Sequence, residues 1–214
     1  MARLGFVSAI VAFWTVLVSA SVMAGENDTR IIGNVSQLQG NVELVRKGAT
    51  IAITEDTLLE EGDRLATRQG GIHIRLRDNT RISLAKNTQF EINRYRYNAE
   101  EQKAEARFKL VSGAFRAITG AIGHLPEPSF EVETSVATMG IRGTDFWGGF
   151  IFDGDLDVAM FTGKGVYVRN ADGISEIRLP GDGVTVVSGQ APAQAKKWPQ
   201  WKLQQAIEST ALTQ

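Results

Sequence analysis

The sequence predicts an all-β fold, and three observations carry that expectation. Apolar and polar residues alternate from Ile31 to Val187 with the period of two expected of half-buried strands. Gly, Asp and Asn interrupt the alternation about every ten residues, the spacing of short strands joined by turns. Helical periodicity is scarce before Val187. A sandwich, a barrel and a stacked β-roll all satisfy this pattern, and periodicity does not choose among them.

The elements follow in order. In Gly71-Ile-His-Ile-Arg-Leu-Arg, Ile72, Ile74 and Leu76 share one face, and His73, Arg75 and Arg77 share the other. Asp78-Asn79 supplies a turn, after which Ile82 and Leu84 resume the buried face. Phe90 and Ile92 begin another unit, Asn98-Ala-Glu-Glu-Gln turns it, and Ala106, Phe108 and Leu110 continue before Ser112-Gly113. Phe130 and Val132 mark a further strand beyond a proline-flanked loop. The apolar run Phe150–Phe152, then Asp153-Gly154, then Leu156, Val158 and Met160 reads as a hairpin. Past Val187, Ser-Gly-Gln-Ala-Pro-Ala-Gln-Ala is linker-like, and 201–212 predicts a short helix with Leu203 and Ile207 four residues apart. That helix is expected to dock on the β domain, since two large aromatics, Trp198 and Trp201, are seldom left in water without a reason.

The amino terminus has the form of a secretory signal peptide. Arg3 gives a positive charge, Leu4 to Val18 is apolar, and Ser19 to Ala24 leads through small or tolerated residues to a cut before Gly25. That apolar run is shorter than the roughly twenty residues a membrane-spanning helix needs. The expected organisation is therefore a signal peptide at 1–24, a lead-in at 25–34, a β domain at 35–187, and a linker with a short helix at 188–214, located in the periplasm. With no cysteine present, disulfides, thiolate metal sites and an acylated lipoprotein cysteine are excluded. The formal charge is −1, unevenly spread: residues 64–116 hold twelve basic and five acidic side chains, and residues 127–182 hold four and ten. Nucleic acid is not an expected partner of an exported chain without net positive charge.

Few residues invite a chemical reading. Thr134-Ser-Val-Ala-Thr-Met-Gly-Ile-Arg-Gly-Thr-Asp-Phe-Trp-Gly-Gly-Phe places Arg142 between two glycines, as an anion site would. The alternative is structural: Gly140 and Gly143 permit unusual backbone angles, while Arg142 pairs with Asp145 or with turn carbonyls and, with Thr144, fastens a corner. The structural alternative is the expectation. Neither a Walker spacing nor Gly-x-Gly-x-x-Gly accompanies the motif. Asp153, Asp155 and Asp157 alternate like calcium ligands, but Val158 and Lys164 stand where a helix-loop-helix calcium site needs Gly and Glu, so no metal is expected. There is no thiol nucleophile, no Gly-x-Ser-x-Gly and no zinc-binding His pair; Glu131 and Glu133 are the one carboxylate pair a glycosidase reading could use. The expectation is a protein without enzymatic activity or cofactor. The candidate binding face is basic: Arg75, Arg77, Arg81, Arg94 and Arg96, with Tyr95 and Tyr97 among them.

Taken in order, Glu61-Gly-Asp-Arg-Leu-Ala-Thr, Gly71 to Leu84, Phe108-Lys-Leu-Val-Ser-Gly-Ala-Phe, Phe130-Glu-Val-Glu-Thr and Ile141-Arg-Gly-Thr-Asp-Phe resemble the FecR periplasmic domain over about Val35 to Val187. The resemblance implies a β-roll or solenoid-like stack of short strands in facing sheets, and it brings no catalytic residues. The best-known members of that family relay a signal from an outer-membrane transporter to a cytoplasmic sigma factor, and carry an anti-sigma segment and a membrane helix ahead of the periplasmic domain. Here Met1-Ala2-Arg3 precedes the apolar run, so direct sigma-factor binding is not expected. The resemblance implies an exported module that recognises an envelope or membrane protein, or an anionic envelope polymer.

Overall fold

A computed structural model describes Met1 and residues 31–212; the segment expected to be a signal peptide, 1–24, lies outside the described residues apart from Met1. The chain runs through β1 (Ile31–Gln39), β2 (Val42–Arg46), β3 (Ala49–Ile51), β4 (Leu58–Glu60), β5 (Arg64–Thr67), β6 (Gly71–Leu76), β7 (Arg81–Leu84), β8 (Gln89–Asn98) and β9 (Lys103–Ser112). It continues through β10 (Ala114–Ile118), β11 (Phe130–Glu133), β12 (Thr138–Ile141), β13 (Thr144–Gly149), β14 (Leu156–Gly163), β15 (Val166–Asn170), β16 (Gly173–Ile177), β17 (Asp182–Val186) and β18 (Lys196–Lys197), and ends in helix α1 (Gln200–Ser209).

The strands form two nine-stranded sheets. The first runs β18-β17-β14-β13-β10-β7-β6-β1-β4, and the second β16-β15-β12-β11-β9-β8-β5-β2-β3. The chain crosses from one sheet to the other after every one or two strands, so a roll builds up along its length with no closed barrel. The β9–β11 pair is parallel, with Phe130 opposite Ala106 and Val132 opposite Phe108. The expected period of two is visible in β6, where Ile72, Ile74 and Leu76 are buried, His73 is half-buried and Arg75 is exposed.

Alternate residues from both sheets meet in one core. Phe90, Phe108 and Phe130 from the second sheet and Phe115 and Phe146 from the first form a continuous aromatic chain, with neighbouring ring centroids 5.2–6.3 Å apart. Tilted and edge-on contacts of this kind add to the gain from burial. Turns fall where the sequence places them: Asn79 and Gly154 both adopt positive φ, the first in the β6–β7 turn and the second between β13 and β14.

The outer face of the first sheet carries a second apolar cluster built from Ala85, Ala114, Trp147, Ala159, Trp198 and Ala206. Helix α1 lies over it, and small residues on the strands let it approach. Trp147 Nε1 donates to Ser209 Oγ at 3.0 Å. Lys202 Nζ reaches Asp157 Oδ1 at 2.8 Å and sits 4.3 Å from the Trp198 ring centroid and 4.7 Å from that of Phe152. Trp198 is buried, while Trp201 stays exposed with its ring edge-on to Phe152.

Candidate functional site

The Gly-Ile-Arg-Gly-Thr-Asp segment divides its work differently from the sequence expectation. Gly140 is required because the Tyr167 ring lies across it, where any Cβ would collide with the ring. Gly143 has φ +63°, a backbone conformation that glycine adopts without steric cost. Thr144 is buried; its hydroxyl donates to Gly165 O at 2.9 Å, and its N–H donates to Thr119 Oγ1 at 2.8 Å. Asp145 accepts two bonds from Arg116, from Nε at 2.8 Å and from Nη2 at 2.7 Å. The hydrogen bond and charge of Asp145 outweigh burial and raise the Arg116 pKa.

Arg142 is therefore not the fastener. Asp145 is committed to Arg116, and Arg142 points to solvent beside a hollow of about 240 Å³ that Lys164 and Arg178 also line. Its position between glycines reflects the backbone: Arg142 N–H donates to Gly165 O at 3.1 Å. Arg142→Ala is expected to change stability by no more than about 0.5 kcal/mol. A thermal melt checks this, with Gly143→Ala melting clearly lower because its Cβ would enter the left-handed region against Gly123 O.

The basic face resolves into two. Arg94 and Arg96 sit on β8 in the second sheet, and carboxylates there meet them: Arg94 Nε bonds Glu105 Oε2 at 2.7 Å, and Arg96 Nη1 lies 3.3 Å from Glu61 Oε2. Nearby, Arg107 and Arg64 also have acidic partners. Arg75 on β6 and Arg81 on β7 lie on the opposite surface, in the first sheet, directly opposite each other in register. Arg77 follows on the same strand line, its Nη1 only 3.4 Å from Ile31 O. Among the described residues, Arg75, Arg77 and Arg81 form no ion pair with a carboxylate. Two like charges across a ladder repel. The single candidate face therefore reduces to Arg75, Arg77 and Arg81, because the next strand, β8, belongs to the other sheet from β6 and β7.

Glu131 is unsuited to acid–base work. Burial pushes its carboxyl up, but hydrogen bonds from Tyr167 (2.7 Å) and Arg169 (2.9 Å), with the charges of Arg169 and Arg107, together bring it below the usual range. Burial and the bond to Glu131 in turn raise the Tyr167 hydroxyl to about 12. His73 is occupied with the backbone carbonyl of Thr210 at 3.1 Å.

Two buried carboxylates went unread in the sequence. Asp63 is fully buried and held by Arg46. Asp78 accepts from Tyr95 Oη, Thr80 Oγ1, Thr80 N and Ile122 N at 2.7–3.2 Å. Each follows an ordinary turn pattern, so only the long-range partners distinguish them.

Residues 63–164 match the family described as FecR protein. That stretch of the chain is similar to a FecR domain. Comparison with curated proteins gives no match. Two crystal structures of a protein from Parabacteroides distasonis ATCC 8503, provisionally assigned as an anti-sigma factor, share the fold. The structure at 1.65 Å has 17% identity and a TM-score of 0.51; that at 2.50 Å has 18% and 0.50. Each covers 66% of this chain, and the chain spans 62% of theirs. The FecR match begins at the buried Asp63 and ends at Lys164, so it encloses Arg75, Arg77, Arg81 and the Arg142 corner. Among the described residues no helix is long and apolar enough to cross a membrane.

Proposed function

We propose that this protein is a non-enzymatic binding module of the cell envelope, exported to the periplasm, that recognises an acidic surface of a partner protein and acts in envelope signal transduction. One observation carries the reading: Arg75 and Arg81 stand opposite each other on the first sheet, and among the described residues no carboxylate is paired to either. An arrangement that costs stability when empty and gains it when an anionic surface neutralises it suits recognition. The FecR domain and the anti-sigma assignment of the Parabacteroides protein support a signalling role. Export is supported by the apolar run Leu4–Val18 behind Arg3. With Glu131 tied to Tyr167 and Arg169, glycan hydrolysis loses one member of the Glu131–Glu133 pair it would need.

Crosslinking in intact cells, followed by mass spectrometry of what copurifies, tests the reading. Arg75→Glu with Arg81→Glu is expected to fold as the parent does, since both side chains are exposed, and to stop retaining a membrane or envelope protein. Retention of the same protein by the charge-reversed variant would refute the proposal. Recovery of only glycan or lipid by the parent would replace the protein partner with an anionic envelope polymer.

A further inference from the structure

The β12–β13 and β14–β15 turns are bonded to each other, and each carries an exposed cation: Arg142 on the first, Lys164 on the second. Arg142 N–H donates to Gly165 O at 3.1 Å, Lys164 N–H to Gly143 O at 3.3 Å, and Thr144 Oγ1 to Gly165 O at 2.9 Å. Gly163 permits this approach, since a Cβ there would meet Gly143 O and the Thr144 Cα. Two like charges are thus held over one hollow by a fixed backbone, and like charges repel.

That hollow, of about 240 Å³, is also lined by Arg178, Glu176 and Tyr167. Arg178 is paired with Glu176, its Nη2 lying 2.5 Å from Oε2, and the Tyr167 hydroxyl donates to Glu131 at 2.7 Å. Among the described residues, neither Arg142 nor Lys164 forms an ion pair or a side-chain hydrogen bond. The hydrogen bond and charge of Arg178, with a smaller share from the charge of Arg142, hold the Glu176 carboxyl below its usual range, so it stays ionised. The charged side chains of the wall are therefore three positive and one negative, or +2.

Size and charge together name the ligand. A hollow of this volume falls below the roughly 300–1,000 Å³ of drug-sized pockets, and it holds a headgroup rather than a whole molecule. Its +2 matches a phosphate monoester, at about −1.5 to −2 near neutral pH, better than a single carboxylate. Arg142 brings a planar fork of donors for two oxygens, and Lys164 a compact charge for a third. We propose that this hollow binds a phosphate dianion, free or as the monoester headgroup of an envelope lipid, with Arg142 and Lys164 as its two cations and Arg178 at the rim. The site goes beyond the partner-binding face and does not rest on it, since Arg75 and Arg81 line no part of the hollow. It also gives a task to an arginine that fastens nothing in the fold.

Amide NMR titration of the full chain with inorganic phosphate, at constant ionic strength and slightly above neutral pH, tests the hollow, with acetate as control. Phosphate is expected to move the Gly143, Lys164 and Gly165 resonances, and acetate at the same concentration to leave them in place. Arg142→Gln is expected to weaken phosphate by about tenfold, and Arg142→Gln with Lys164→Gln to abolish the shifts. Glu176→Gln is expected to tighten binding, because it removes the one acid in the wall. All three side chains are exposed, so the variants should fold, and a melting curve checks that they do. Sedimentation with phosphatidylcholine vesicles carrying phosphatidic acid identifies the source. Retention that the double substitution removes assigns the lipid-borne monoester; retention that is absent or indifferent to it assigns the free anion. Equal shifts with acetate, no shifts with phosphate, or parent-like affinity in the double variant overturns the proposal. Arg75→Glu with Arg81→Glu leaves phosphate affinity unchanged, so failure of this site and failure of the partner face are told apart.

Discussion

Asp63→Ala lowers the stability of the fold by about 3–5 kcal/mol, a large part of what a domain of this size has in reserve. Asp63 has no solvent exposure, and both its oxygens are used: Arg46 Nε reaches Oδ1 at 2.7 Å, Arg46 Nη2 reaches Oδ2 at 2.8 Å, and Glu60 N–H donates to Oδ2 at 2.8 Å. Two further guanidinium N–H groups donate to Glu60 Oε1 at 2.6 Å and Leu58 O at 2.8 Å. One side chain thus ties the β4–β5 turn to β2, and the Asp63 hydrogen bond leads the causes that raise the Arg46 pKa. Truncation at Asp63 strands a half-buried guanidinium beside an empty space, and loss of a buried partner costs more than the pair itself contributes. Asp63→Asn keeps the shape but not the charge and should fall between parent and Ala. Denaturant unfolding decides it: a D63A midpoint equal to the parent's would mean that the corner is held by something else.

Trp198→Ala costs about 3–5 kcal/mol if the covering helix stays in place, because the cavity left behind is lined by rigid strands. The indole packs edge-on to Trp147 and Phe152 with centroids 6.3 and 6.0 Å away, and the Gly183 backbone lies directly beneath it. It also faces Lys202, whose ammonium is held by the buried carboxylate of Asp157. The helix makes its contacts along one face only, so the molecule has a cheaper response, which is to release α1 and hydrate Trp147. Hydrogen exchange separates the cases. Fast exchange confined to α1 and β18 with the sheets still protected indicates release, and unchanged exchange with a lower melting point indicates a cavity. A variant with parent-like melting and exchange would show that Trp198 contributes nothing to the closure.

Local chemistry was readable in the sequence where it acts over two to four residues. The alternation of Ile72, Ile74 and Leu76 with His73 and Arg75 defines β6 and its faces, and Asn79 and Gly154 mark turns because their backbones need positive φ. The resemblance in ordered motifs selected the facing-sheet roll from three architectures that periodicity left equal. What escaped depends on partners far away in the chain. Arg75 and Arg94 are both outward residues of basic strands, yet they face opposite sides of the molecule because β6 and β8 belong to different sheets. Arg142 looked like half of a local pair with Asp145, and lost that partner to Arg116, 29 residues from the aspartate in sequence but diagonal to it across β10 and β13. Asp78 reads as a turn residue and Asp63 only as part of the Glu61-Gly-Asp-Arg motif, and nothing next to them in the sequence reveals that Arg46 and Tyr95 close over them.

The placement of α1 has a consequence for the order in which the protein becomes complete. Strand β1 pairs with β4 and β6, so the first strand waits for some forty residues of chain before both its edges are satisfied. The covering of Trp147 and Ala159 comes later than the strands it protects, since β18, Trp198 and α1 follow β17 in the chain. Until then the sheet presents a greasy aromatic outer wall to its surroundings. A chain made only as far as β17 can therefore hold nearly every strand in register and still be sticky, and in this fold the segment from β18 through α1 acts as the seal against self-association.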